Sequence, residues 1–283
     1  MIVNFKNVRG SKVKLTFAFP IFLAFALASP AQGSTWDDCL GDDVAVSLVA
    51  CSAVIDAKTE PIKQLALAYY NRGFAYSQQK EDDLAVADYS QSIDLDPTNF
   101  DAFNKRGFVY LYADKNDLAL ADFDKAIAIN PDQSETHTGR GVALKHLNKY
   151  EDAILAFTKA ISLDGESEYA FNNRANTFEL MGKHSEAILD YSKAIAINPD
   201  DGTYLNNRGV IYYNLGKIDQ ALTDYNQSIE KDPNYALAYY YRGLIYKDQK
   251  HLAEAEADFR MSLKLQPGYD RAITVLQDMG LKP

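Results

Sequence analysis

Shifted against itself by 34 residues, this chain falls into register six times in succession without an insertion. One column reads Gly73, Gly107, Gly141, Ala175, Gly209 and Gly243, and twelve residues on a second reads Ala85, Ala119, Ala153, Ala187, Ala221 and Ala255. Four further on stand Tyr89, Phe123, Phe157, Tyr191, Tyr225 and Phe259; a last column holds Pro97, Pro131, Gly165, Pro199, Pro233 and Pro267. A period of this length means stacked supersecondary units, none of which can bury its apolar face alone. Such a stack offers a long groove in place of one deep pocket, so it constrains function as well as fold.

Each unit reads as two helices. Tyr69, Arg72, Gly73 and Tyr76 recur at three- and four-residue steps, and so do Ala85, Tyr89, Ser92 and Ile93. The small residues at 73 and 85 allow two antiparallel helices to approach, with aromatic residues filling the space around that contact. The second helix should stop at Asp96-Pro97, because proline disfavours helical geometry in the residue before it. Met181-Gly182 and Leu215-Gly216 place a glycine where a first helix should end.

The stretch from Tyr204 to Pro233, YLNNRGVIYYNLGKIDQALTDYNQSIEKDP, resembles the tetratricopeptide repeat family. The resemblance covers six units, 66–99, 100–133, 134–167, 168–201, 202–235 and 236–269. It implies an all-α fold, a right-handed α-solenoid of helix–turn–helix units with capping helices at its ends. Departures are volume-tolerant: Ala175 for the glycine, Leu144 for the aromatic at Tyr76, and Gly165 for the proline.

The ends read differently. Lys6, Arg9, Lys12 and Lys14 precede an apolar run from Leu15 to Ala28, followed by small residues up to Ala31. Residues 1–31 therefore read as a secretory signal peptide, the apolar run being short of the roughly 20 residues that span a bilayer. With the repeats, this looks like an exported bacterial protein, periplasmic or secreted, with no membrane span after cleavage. Residues 32–65 read as a degenerate cap. Its Cys39 and Cys51, the only cysteines, lie one period before Gly73 and Ala85. Two sulfurs at the closest helix–helix contact fit a disulfide in an oxidising compartment, although Gly41-Asp42-Asp43 breaks the first helix early. Residues 270–283 read as a C-terminal capping helix with Arg271, Thr274, Gln277 and Asp278 on a polar face.

Little in the chain points to catalysis. The histidines at 137, 146, 184 and 251 are scattered, with no second ligand at helical spacing, so no metal or other cofactor is expected. No phosphate loop or nucleophile elbow is present, and the reading is not an enzyme. A formal charge of −10, more negative still without the basic leader, argues against nucleic acid as partner.

Two polar columns remain. Arg72, Arg106, Arg140, Arg174, Arg208 and Arg242 stand level, across each hairpin, with Asp88, Asp122, Ala156, Asp190, Asp224 and Asp258. Five aspartates beside six arginines read as structural pairs rather than an anion-binding stripe. On the concave face that the family implies lie Asn71, Asn172, Asn173, Asn176, Asn206 and Asn207, with Tyr169, Tyr213, Tyr240 and Tyr241 as apolar contacts. An asparagine amide pairs with both groups of a peptide bond, so a row of them suits an extended chain. It is similar to the asparagine ladder of the O-linked N-acetylglucosamine transferases. The ladder requires amides that are unbonded in the free protein, above all Asn173 and Asn207. Lys105, Lys145 and Lys247 are too dispersed for the family's carboxylate-gripping clamp. The expected function is a non-enzymatic interaction module holding a protein or peptide partner. The alternative is a structural scaffold, with self-association, in envelope assembly.

Overall fold

The computed structural model describes residues 35–283; the signal-peptide reading of residues 1–31 falls outside them. Within them the chain is entirely α-helical. A short α1 (Thr35–Cys39) and α2 (Val44–Ala57) form the N-terminal hairpin. Then come the six repeated hairpins: α3 (Ile62–Gln78) with α4 (Asp82–Leu95), α5 (Phe100–Tyr112) with α6 (Asn116–Ile129), and α7 (Ser134–His146) with α8 (Tyr150–Leu163). The series continues with α9 (Glu168–Leu180) and α10 (His184–Ile197), α11 (Gly202–Asn214) and α12 (Ile218–Lys231), and α13 (Ala236–Asp248) and α14 (Leu252–Leu265). Helix α15 (Asp270–Asp278) closes the stack.

Each hairpin packs on the next, and the first helices of neighbouring units also touch: α3 with α5, α5 with α7, α7 with α9, and α11 with α13. No pair of second helices approaches to the same extent among the described residues. The stack therefore curves with the first helices inside, which makes it an α-solenoid with a concave inner layer.

The aromatic column is the core of every unit. Tyr89, Phe123, Phe157, Tyr191, Tyr225 and Phe259 are completely buried. Their rings lie directly over the small column of the first helix, which refines the expected picture of rings flanking that contact. A Cβ added at Gly107 would stand 2.9 Å from the Phe123 ring, and at Gly141 only 2.5 Å from that of Phe157. At Ala175 the fourth unit houses a methyl in this column, so the site accepts one where the backbone is built around it.

Between the two helices of each unit, one residue adopts left-handed geometry: Lys80, Asp114, Asn148, Gly182, Gly216 and Lys250, with φ from 56° to 72°. Only two of the six are the glycines that this conformation favours. Each second helix ends at an extended or near-extended residue, and Asp96, Asn130, Asp164 and Asp232 accept a hydrogen bond from the backbone N–H two residues on. That turn closes equally well at Asp164, which is why Gly165 replaces proline without lengthening the connection.

The ends are covered differently. Cys39 and Cys51 are disulfide-bonded across a Cα–Cα distance of 4.6 Å, in the small-residue contact of the repeat. Ser47 donates to the Cys39 carbonyl at 2.9 Å, so the α1–α2 turn is tied down twice. At the other end α15 buries Ala272 and Leu276 and exposes Arg271, Thr274, Gln277 and Asp278.

The ring-on-glycine contact generates a paired prediction. Gly141→Ala forces a methyl against Phe157 and should lower stability by about 1–3 kcal/mol, the usual cost of overpacking. Tyr225→Phe removes a buried hydroxyl that has no partner among the described residues, so it should leave stability unchanged or slightly raised. Urea unfolding of the two variants checks both signs.

Candidate functional site

The inner layer is where a partner can be met, and two kinds of column compete for its side chains. The arginine column belongs to the scaffold. Arg72, Arg106, Arg174, Arg208 and Arg242 each donate through Nε and Nη2 to both carboxylate oxygens of Asp88, Asp122, Asp190, Asp224 and Asp258, at 2.7–2.9 Å. The arginine side chains are 17–19% exposed and the aspartates 3–8%, so these pairs are largely withdrawn from water. The remaining Nη1 reaches the preceding second helix, meeting Ser52, Ser90, Thr158, Ser192 and Asn226. Most of these guanidinium groups also lie between two rings of their own helix, as Arg174 does between Phe171 and Phe178. The third unit is rewired. Facing Ala156, Arg140 turns to Asp124 in the preceding second helix at 2.6 Å, and this pair is far more exposed (31% and 51%).

The asparagines do not form an open ladder. Asn172, Asn173 and Asn206 are buried, and Asn71, Asn176 and Asn207 are half-buried. Asn173 donates to the Tyr169 carbonyl at 2.8 Å and accepts from Lys145 Nζ at 3.0 Å. Asn176 donates to the Asn172 carbonyl, Asn207 to Asn172 Oδ1, and Asn206 to Asn207 Oδ1, the last two at 3.4 Å. Asn104 likewise accepts from Thr136. Asn173 and Asn207 are thus bonded inside the fold, which corrects the expectation of free amides. The physical reason is the curvature of the stack, which turns these positions towards the neighbouring first helix.

The tyrosines divide as well. Tyr240 is 7% exposed and packs on Tyr241, Phe259 and Tyr269, a core position rather than a groove contact. Tyr241 stacks on Tyr225, and the Tyr213 hydroxyl donates to Asp248 at 2.7 Å. Tyr169 stays open to solvent, as do Leu180 at the far end of the same helix and Leu67, Phe74 and Tyr112 on α3 and α5. Leu67 and Tyr169 share one repeat column, Tyr112 and Leu180 another, so they lie on one side of the inner layer. Leu67 stands at a family groove position, and Tyr112 and Leu180 are inner-layer residues that the asparagine pattern does not point to.

The pKa of Lys145 is lowered to about 8 because burial penalises the ammonium. Burial also raises the Glu179 carboxyl, where the Tyr191 hydroxyl lies 3.5 Å away. His137 is a core residue whose Nε2 shares a hydrogen bond with the Pro131 carbonyl. No helix among the described residues is long and apolar enough to cross a membrane.

With this geometry in hand, comparison with known proteins is informative. Family models described as tetratricopeptide repeats match residues 66–99, 105–168, 168–201, 191–223 and 236–269, and a TPR repeat model matches 211–250. No curated protein matches the sequence. Among solved structures, a tetratricopeptide repeat protein from Parabacteroides merdae is similar over 87% of this chain and 98% of its own (19% identity, TM-score 0.67). PilW, described as a widely conserved type IV pilus biogenesis factor, is similar over 75% and 99% (20%, 0.68). YrrB, described as a TPR protein with an unusual peptide-binding site, is similar over 68% and 97% (22%, 0.56). At these identities the likeness is one of fold.

Asn173 now carries a prediction opposite to that of a free amide. Asn173→Ala removes the acceptor of a charged hydrogen bond and should lower stability by about 1–3 kcal/mol at neutral pH. Because the folded-state pKa of Lys145 is below its usual value, the unfolded chain binds more protons from about pH 8 up to the ordinary lysine range. Stability contributed by this group should therefore rise with pH across that window. NMR titration of the lysine ammonium should place its midpoint near 8; a midpoint at the ordinary lysine value contradicts the burial argument.

Proposed function

From the chain's membership of the tetratricopeptide repeat family we propose a non-enzymatic adaptor that holds a peptide segment or partner protein along its concave face. The observation that carries this reading is the set of exposed large side chains on the inner layer: Leu67, Phe74, Tyr112, Tyr169 and Leu180. Apolar side chains cost least when kept inside, and several open to water on one inner layer mark a contact surface. Aromatic anchors supply most of the energy in such contacts. The buried amides beneath them contribute rigidity, so the groove is preformed rather than assembled on binding. The basic, apolar leader and the disulfide support export, and the periplasm is the proposed address.

A second reading, a self-associating scaffold, draws support from one feature. Helix α2 is apolar nearly throughout, and its outer side leaves Val46 and Val49 45% and 72% exposed at the end of the stack. Sedimentation over a hundredfold range of concentration separates the readings, since only the scaffold predicts growth in mass.

The groove reading predicts that Tyr112→Ser, Tyr169→Ser and Leu180→Ser together abolish capture of partners from envelope extract. Stability should change by less than about 1 kcal/mol, because all three side chains already face solvent. Undiminished capture by the folded triple variant would remove the inner layer as the site.

A further inference from the structure

The irregular N-terminal hairpin encloses a cavity of about 200 Å³ at the first end of the groove. Leu40, Asp42 and Val44 from the α1–α2 turn form one wall, and Tyr70, Asn71 and Phe74 from α3 form the other. Tyr70 and Phe74 lie one helical turn from each other and, with exposed Leu67, on one face of α3, so the cavity continues the groove surface. A closed apolar cavity of about 150 Å³ accepts a benzene-sized molecule; this one is open to solvent and polar at Asp42, Ser47 and Asn71, with volume for one large side chain seated against Leu40, Tyr70 and Phe74. Leu40 and Phe74 are 45% and 39% exposed.

Two further observations define the occupant. The amide nitrogen of Asn71 is buried without an acceptor, so rotation of that amide towards a ligand carbonyl breaks no bond made by the nitrogen. Residues 35–57 contain five aspartates, among them Asp42 in the cavity wall, and no lysine or arginine. The Asp42 carboxylate in that wall favours a positive neighbour on the incoming chain. We propose that this cavity seats one apolar side chain of a partner peptide, with a basic residue beside it and its carbonyl on Asn71. The proposal rests on the groove reading and names the point at which the partner is anchored.

The disulfide holds half of the site. Leu40 follows Cys39 directly, and α1 has five residues, too few to persist as a helix without the bridge to α2. Reduction by dithiothreitol, which converts the bridge to two thiols as the reagent closes to its cyclic disulfide, releases this wall while α3 keeps its contacts with α4. Anchoring should accordingly require the oxidised chain.

The test titrates the purified full chain with acetyl-Arg-Leu-Arg-amide and acetyl-Glu-Leu-Glu-amide, followed by NMR. The expected result is saturable shifts at the Gly41 and Phe74 backbone amides and the Asn71 side-chain amide with the basic peptide. Affinity should be at least fivefold weaker for the acidic peptide, and for Phe74→Ser or Asp42→Asn with the basic one. Dithiothreitol should abolish the shifts at Gly41. Both replaced side chains reach solvent, so loss of folding does not mimic the result. Equal affinity for the two peptides, no effect of either substitution, or no shift at these amides overturns the proposal. Shifts confined to α5–α13 do so as well while leaving the groove reading intact, whereas failure of partner capture by the inner layer is read separately in the triple serine variant.

Discussion

In five of the six units a single guanidinium group joins three helices. It grips an aspartate of its own second helix with two parallel bonds and spends its remaining nitrogen on the preceding second helix. The paired geometry fixes angle as well as distance, so it sets both the register within a hairpin and the spacing to the previous hairpin. Around Arg72, Arg106, Arg174 and Arg242, rings three residues before and four after cover the group from water, and Arg208 packs on the Tyr212 ring. A charge held this way is costly to leave alone, which makes the pair a strong constraint even where its net stabilisation is modest. Repeat three keeps the arginine and exchanges the partner: Asp124 stands where the other units place Ser90, Thr158, Ser192 and Asn226. The requirement is a carboxylate within reach, from either of two seats.

That constraint frees the opposite side of the first helix. Arginine, small residue and buried ring determine where each hairpin sits. The residues at Leu67, Tyr112, Tyr169 and Leu180 lie off those contacts and remain exposed. Beneath them, Lys145 bonds to Asn173 and Asn207 to Asn172 across the seams between first helices, and Asn206 bonds to Asn207 within its own helix. The groove floor is therefore polar but occupied, and above it exposed Leu67 and Tyr169 share their column with the exposed carboxylates of Asp101 and Glu135. At the N-terminal end, the buried amide nitrogen of Asn71 has no acceptor among the described residues.

Much of this was legible in the sequence. The period gives the solenoid, the aspartate column gives the arginine's partner, and the register of Cys39 and Cys51 gives their bond. The buried amides were not legible, and the reason is geometric. Helical spacing shows which side of a first helix faces its own second helix, but not how closely the next first helix approaches. That distance depends on the curvature of the whole stack, which no single unit encodes. Tyr240 was misplaced for the same cause, being covered by Tyr269 ahead of the terminal helix. The left-handed residue between helices shows a glycine at only Gly182 and Gly216; Lys80, Asp114, Asn148 and Lys250 adopt it under tertiary constraint. The N-terminal cavity arises where Gly41-Asp42-Asp43 departs from the repeat, so periodicity is silent there.

The claim that the arginine–aspartate pair orders the stack is tested most directly by a double-mutant cycle at Arg208 and Asp224, the pair with the most buried carboxylate. Unfolding free energies of Arg208→Met, Asp224→Ala and the combined variant are compared with the native chain. If the pair acts as a unit, Asp224→Ala alone strands a guanidinium and costs more than both changes together, with a coupling of about 1–3 kcal/mol. Additive losses, with the double variant the least stable of the three, would contradict the account and reduce the arginine column to one packing contact among many.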